Sequence, residues 1–573
     1  MQNFKKKAAE AIEQAVEVMA PGCGLTASDI ESYLEYPPDP SMGDLAFPCF
    51  RLSKTLRNAP PKIAVALAEA LVDFPLGSVA PAGGYLNFKV APEYLSGHVL
   101  SEIEARGAAY GSSEEGRGKV VTLDYSSPNI CKPFHIGHLG TTVIGHSLKL
   151  LHEFAGYTCI GINHLGDWGT QFGKQIVAFR KWGDRETVER IGIDELVRLY
   201  VRFHEEAEKD PALEDEARAE FHKMEEGDPE NLALWQWFVD VSLAEYKKTY
   251  RQLGIEFEHY TGESFYIRNG YGQAVVDELR EKKLVKLDDG AEIVDLSDYN
   301  MPPCIILKKD GSTIYHTRDI AAAEYRKKTY NFTKSIYVTS SQQSLHFAQL
   351  FKVIELMGYP WYSELVHVPY GTVSVDGAKL ATRTGNVVLL KDLFRLSVEK
   401  VTEVMNEKNP DLENREEVAE AVGVGAIVFN YLYNSRIKDI NFTLDQALSF
   451  EGSTGPYAQY TYARTCSILE KAAAAGITAE GGNMTHPSEG ELLKTLSLFP
   501  EKVSEAIAAY EPSVITRYVI DVCTAFNHFY RDCPIVTAET EESRRFRVRL
   551  TAAAKTVLGS ALHLICMKTP EKI

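Results

Sequence analysis

Two imidazoles three positions apart, His135 and His138, enclose Ile136 and Gly137. Each ring can donate a hydrogen bond to a phosphate oxygen, and the glycine lets a nucleotide approach the backbone. The stretch just upstream, Lys119 to Tyr125, is β-branched and apolar enough to read as a buried strand, and Ile136 to Phe154 reads as a helix ended by Gly156. Strand, turn and helix put the histidines where an open parallel sheet collects ligands, at a strand's carboxyl end, with free helix N–H groups favouring phosphate. A pair of partly buried histidines capping a helix is the competing reading. The strand before the pair and the glycine inside it favour a nucleotide site.

A second polar, glycine-rich strand end follows. Tyr157 to Ile162 reads as a short buried strand leading into Asn163-His164-Leu165-Gly166-Asp167-Trp168-Gly169. Two such loops at two strand ends build one crevice. A third loop, residues 377 to 386, carries Lys379, Thr382 and Arg383. It reads either as a clamp on phosphates or as an exposed hairpin.

The elements that must position these loops fill a chain of 573 residues, long enough for three or four domains. A net charge of −18 argues against a protein that coats nucleic acid indiscriminately, but leaves room for a specific RNA partner on a local basic face. The nine cysteines include no Cys-x-x-Cys pair, so a reducing cytoplasm is expected and no dedicated metal site. Nothing reads as a secretion signal or a membrane span.

The expected fold is multidomain. Residues 1–112 read as an α+β domain, its role open between packing and RNA contact. A Rossmann-type α/β domain with a parallel sheet spans 118–395 and carries a helical insertion near 184–260, whose acidic residues read as a solvated face. Asp310-Gly311 is expected to turn a hairpin into a strand Ser312–Tyr315, with a helix opening at Thr317-Arg318-Asp319 and one long strand-like run from Val366 to Val375. A helical connector over 396–450 leads to an all-helical domain over 451–573, where Ser488 and Glu491 read as a capping box.

Taken together, Ser126 to His138, Asn163 to Gly173, Tyr315 to Ala323, Thr454 to Tyr460 and Thr569 to Lys572 resemble the class I arginyl-tRNA synthetases over essentially the whole chain. The resemblance implies ATP-dependent attachment of L-arginine to tRNA(Arg) through an arginyl adenylate, Mg2+ arriving with ATP, and a cytoplasmic monomer. It places His135, His138, Lys379 and Arg383 in catalysis, with Gly137 and Thr382 joining His135, His138 and Lys379 at ATP. Asp124, Ser127, Asn129, Tyr315, Asp319 and Gln343 would bind arginine. The physical logic agrees, because a planar guanidinium can meet a carboxylate such as Asp319 through two parallel hydrogen bonds.

In the same resemblance the C-terminal helices read the anticodon and the first domain grips the tRNA's outer corner. Tyr457, Gln459 and Tyr460 fall on the tRNA side, with core packing a competing role for the tyrosines. Five positions depart from the family's pattern: Thr384 where lysine is common, Gly140 for arginine, His146 for aspartate, Gln342 for glutamate, and Asp124 for a longer glutamate. These departures leave open an alternative, a synthetase-like protein that binds tRNA or arginine without charging.

Overall fold

The computed structural model describes every residue except 310, 376–377 and 380–387, and no side chains for 2, 40, 378–379 and 408. The first domain packs helix α1 (Gln2–Met19) and helix α2 (Pro60–Ala70) on a three-stranded antiparallel sheet of β1 (Leu45–Pro48), β2 (Gly77–Ala82) and β3 (Tyr85–Val90), with β3 central. Phe4, Phe74 and Phe88 meet edge to face at its core.

The second domain is built on five parallel strands. In chain order these are β4 (Val120–Asp124), β5 (Thr158–Asn163), β6 (His259–Tyr260), β10 (Lys334–Ser340) and β11 (Leu365–Tyr370), arranged in space as β11-β10-β4-β5-β6. Val121, Leu123, Ile336 and Val338 are buried, as expected for strands covered on both faces. The chain runs outward from β4 through helix α3 (Gly137–Phe154) to β5, and on through helix α4 (Thr170–Trp182) and a helical excursion ending in α5 (Pro229–Leu253) to β6. It then returns to the other side of β4. The topological switch point therefore lies between β4 and β10, where a crevice opens at the carboxyl ends.

Between β6 and β10 come helix α6 (Glu263–Arg268), a small antiparallel sheet of β7 (Val285–Asp288), β8 (Ala291–Val294) and β9 (Cys304–Leu307), and helix α7 (Tyr315–Tyr330). The expected strand over Ser312–Tyr315 is absent. Only an isolated bridge joins Thr313 to Leu307, and Tyr315 already starts α7. Helix α8 (Ser344–Leu356) follows β10. The expected single run from Val366 to Val375 is two strands, broken at Gly371 and Thr372. Its second half, β12 (Val373–Val375), leaves the main sheet to pair with β13 (Ala378–Lys379) and with β14 (Ile440–Phe442).

Helices α9 (Leu390–Lys408) and α10 (Arg415–Tyr433) precede β14, so a strand interrupts the stretch expected to be wholly helical. Helices α11 (Gly455–Ala474), α12 (Pro487–Ser497), α13 (Phe499–Ala509), α14 (Ser513–Asp532) and α15 (Glu541–Leu564) form the C-terminal bundle. The capping box at α12 uses His486 and Glu489 rather than Ser488 and Glu491, because Pro487 begins the helix and makes Glu489 its third residue. No helix of the described residues is long and apolar enough to cross a membrane.

Candidate active site

At the end of β4 the chain turns sharply, with Ser126, Ser127 and Cys131 all at positive φ (70°, 45° and 60°). Non-glycine residues hold such backbone only when their surroundings fix it. Here the Ser126 N–H donates to Thr141 Oγ1 (2.9 Å), the Ser126 hydroxyl bonds Tyr250 Oη (2.7 Å) and Thr142 Oγ1 (2.8 Å), and the Cys131 N–H donates to Ser242 Oγ (3.1 Å). The loop is thereby pinned to α3 and α5, and its far end delivers the paired imidazoles to the start of α3.

Those imidazoles are locked against each other. The Gly137 N–H donates to His135 Nδ1 (3.1 Å), the His135 N–H donates to His138 Nδ1 (3.1 Å), and the ring centroids lie 3.9 Å apart. Each Nδ1 is an acceptor, so in the neutral rings each Nε2 carries the proton and is the donor left for a ligand. Burial, then the charge of Lys132, lowers the His135 pKa; burial, then His135, lowers that of His138 to about 3. The pair is therefore neutral at physiological pH. A Cβ at Gly137 would lie 2.8 Å from the His135 ring, so the glycine is needed for that ring's position as well as for any ligand.

His138 lines a cavity of about 450 Å³ between the ends of β4 and β10, and it is joined there by Asp124, Ser127, Asn129, Tyr315, Asp319 and Gln343, all expected at the amino-acid site. Asn129 is fixed by its neighbour: it bridges to Gly166, whose missing Cβ leaves room for the Asn129 side-chain oxygen. Tyr315 stands exposed at the rim (66 %). Burial opposes ionisation of Asp319, but the hydrogen bond donated by His346 Nε2 (2.7 Å) and the nearby charge of Arg326 lower its pKa overall.

Three residues of this cavity escaped the sequence reading. Arg326 is fully buried and pairs with Asp124 Oδ2 (2.8 Å), while Ser127 Oγ donates to Asp124 Oδ1 (2.8 Å). Glu263, raised in pKa by burial, pairs with Arg318 (2.6 Å). His346 is the third. The signal for Arg326 was present, since residues 319, 322 and 326 share one face of α7 at helical spacing.

Other expected residues fall elsewhere. Lys379 sits on β13 opposite Ser374. Thr382 and Arg383, like Thr384, lie outside the described residues. Gln459, expected on the tRNA side, is instead a core residue: it is fully buried on α11, and its amide donates to the carbonyls of Ala421 (3.0 Å) and Lys568 (2.8 Å). Tyr457 is half-buried, its hydroxyl accepting from Asn527 (2.8 Å), whereas Tyr460 is 44 % exposed with the Arg464 guanidinium over its ring (5.0 Å).

A parallel sheet of this order, with His-x-Gly-His opening the helix at its switch point and a helical bundle behind it, defines a class I aminoacyl-tRNA synthetase. Residues 100–444 match the family described as tRNA synthetases class I (R), catalytic domain; residues 458–573 match the DALR anticodon binding domain, and 2–90 the arginyl tRNA synthetase N terminal domain. The chain is 50% identical over its whole length to the arginine–tRNA ligase of Alkaliphilus metalliredigens and 49% identical to that of Clostridium perfringens, with 100% of each relative covered. The solved arginyl-tRNA synthetase of Thermus thermophilus superposes with a TM-score of 0.82 at 26% identity, covering 98% of this chain and 99% of that one. The chain belongs to the arginyl-tRNA synthetase family. Nothing in these matches favours the binding-only alternative.

Proposed function

We propose that the chain attaches L-arginine to tRNA(Arg) in two steps, activating the amino acid with ATP and then passing it to the terminal ribose of the tRNA. The observation that carries this reading is the shared cavity: a half-buried acid of lowered pKa, Asp319, faces the same space as a neutral Nε2–H donor, His138, at the switch point of a parallel sheet. In the first step the arginine carboxylate attacks the α-phosphate and pyrophosphate leaves. The chemistry asks the protein mainly for alignment and for donors aimed at developing charge. His135 and His138 supply two such donors, Gly137 lies under the nucleotide, and Asp319 anchors the guanidinium with Asn129, Tyr315 and Gln343 around the rest of the amino acid.

Lys379, Thr382 and Arg383 serve the phosphates of ATP, Lys379 standing in for the lysine that the loop lacks at Thr384. Magnesium enters with the phosphates of ATP, whose charge it shares. Tyr460, exposed on α11, offers a stacking face to an unpaired base of the tRNA. The enzyme works as a cytoplasmic monomer.

The test is arginine-dependent ATP–pyrophosphate exchange, run with and without tRNA. Lys379→Ala is expected to cut kcat by about 10²-fold, the usual scale for losing one donor to developing charge. Asp319→Asn is expected to raise KM for arginine by about 10²-fold while KM for ATP changes little. Exchange indifferent to arginine, or an unaffected Lys379→Ala, refutes the corresponding assignment.

A further inference from the structure

The cavity is lined by three carboxylates, Asp124, Glu263 and Asp319, yet the substrate proposed for it brings one positive side chain. The structure settles two of the three internally. Glu263 is neutralised by Arg318 at 2.6 Å. Asp124 is neutralised by Arg326 at 2.8 Å, and its other oxygen accepts from Ser127. Asp319 alone has no guanidinium or ammonium among the described residues; its neighbours are His346 Nε2 at 2.7 Å and His164 Nε2 at 4.0 Å.

Arg326 holds one acid directly and the other through an imidazole. It is the largest fully buried side chain of the described residues, held on the inner face of α7 beside Ala322, and its guanidinium also lies 5.6 Å from the Tyr337 ring centroid. The terminal nitrogen that pairs with Asp124 also lies 3.4 Å from His164 Nδ1, to which it donates. With Nδ1 accepting, the proton of a neutral His164 sits on Nε2, the atom turned toward Asp319. One guanidinium therefore occupies the first acid and sets the tautomer of the imidazole beside the second.

We propose that Arg326 is a positioning and specificity-determining residue, an internal guanidinium that fills Asp124 so that the amino-acid cavity presents a single uncompensated carboxylate, Asp319, to the substrate. This rests on reading the cavity as the arginine site, and it reassigns Asp124 from substrate ligand to counter-ion. Fixed charges around the cavity then leave one net negative charge, which fits a monocation. Without Arg326 two unpaired acids, one buried and one half-buried, would face the same space, repelling each other and favouring uptake of a proton over a guanidinium. Lysine at this position is a point charge and cannot hold Asp124 while donating to His164.

The test compares Asp124→Asn, Asp319→Asn, Arg326→Lys, Arg326→Gln and the double Asp124→Asn/Arg326→Gln in full-length protein, reading KM for arginine and for ATP in pyrophosphate exchange with tRNA, alongside thermal melts. Asp319→Asn is expected to raise KM for arginine about 100-fold and Asp124→Asn less than about 10-fold. Arg326→Gln is expected to raise it at least about 10-fold with KM for ATP within about threefold, Arg326→Lys to fall between, and the double to return within about threefold of Asp124→Asn. A double as impaired as the product of the two singles, or Asp124→Asn as damaging as Asp319→Asn, overturns the proposal. Should Arg326→Gln fail to fold, the two asparagine variants and Arg326→Lys still decide. An Asp319→Asn protein with unchanged KM for arginine would instead overturn the reading of the cavity itself.

Discussion

Gly140 illustrates how a single position is set by its neighbour in space. A Cβ there would lie 2.1 Å from the Tyr431 hydroxyl and 2.7 Å from the ring carbon that bears it, and Tyr431 is 4 % exposed, so its ring cannot swing aside. Alanine in a helix interior gains up to about 1 kcal/mol over glycine in propensity, whereas overpacking a core costs about 1–3 kcal/mol. The clash wins. Gly140→Ala is expected to lower stability by about 1–2 kcal/mol in denaturant unfolding, with Tyr431→Phe relieving part of that loss in the double variant. This explains why glycine stands where the family resemblance leads one to expect arginine: Tyr431, from α10, already fills the space. Such a pairing is illegible in the sequence, because 291 residues separate the partners and neither has a local pattern that names the other. The paired histidines were legible for the opposite reason, since the strand, turn and helix around them are all local, whereas Asp124, Ser127 and Asn129 were named only through the family resemblance and meet His138 at the same cavity.

At the scale of the element, α7 shows what a pattern of residue types leaves out. The sequence located this helix and its Asp319, but began it two residues late and spent Ser312–Tyr315 on a strand, because Asp310-Gly311 looked like a hairpin turn. The inward face of α7 carries Asp319 and Arg326, and a different stretch of it carries a strained group, Glu324. Burial first, then the nearby charge of Glu278, raises the Glu324 pKa to about 7, and its Oε1 has no hydrogen-bond partner among the described residues. The two oxygens of Glu278 share the single proton of the Tyr359 hydroxyl (2.9 and 3.0 Å). A carboxyl with a raised folded pKa binds more protons folded than unfolded between about pH 4.5 and 7, so its contribution is most favourable below that window and is lost as pH rises through it. Glu324→Gln keeps the shape without the charge. It is expected to stabilise the protein by about 1–3 kcal/mol at pH 8 and by almost nothing at pH 4.5, read as the shift of the denaturant midpoint at each pH. A gain independent of pH would mean that the Glu324 charge is not what strains the helix.

Across the whole molecule, the helix that opens at the paired imidazoles closes against the C-terminal bundle. Ser147 Oγ on α3 donates to the Leu564 carbonyl at the end of α15 (2.6 Å), and the His152 ring stacks near Tyr510 (6.2 Å) just past α13. The first domain rests on the same bundle, with Arg549 gripping Glu104 through two bonds (2.6 and 2.7 Å) and Tyr110 stacked on Phe499 (6.3 Å). Domain composition was legible from helical periodicity and strand runs, but these seams were not, since they join residues hundreds of positions apart. The seam along α3 is lined with imidazoles kept neutral. Burial lowers the pKa of His146 to about 3 and of His152 to about 4, and also lowers His138 to about 3 and His316 and His367 to about 4. Each such histidine binds a proton when unfolded but not when folded, so below its ordinary value of about 6.5 every pH unit costs up to about 1.4 kcal/mol per group until the folded pKa is reached. Glu324 works in the opposite sense over part of that window, as do the other carboxyls that burial raises, Glu153, Asp167, Glu263 and Asp521, but the lowered imidazoles outnumber them. Unfolding midpoints are therefore expected to stay level from pH 8 to 7 and to fall steeply from pH 6.5 to 5, a range in which few ordinary carboxylates titrate. Because two of the five histidines line the seam, loss of contact between α3 and the bundle should come first, seen as hydrogen exchange rising in 137–154 and 555–564 before it rises in β4 and β10. A midpoint that holds to pH 5 would show that these histidines take up protons without opening the fold.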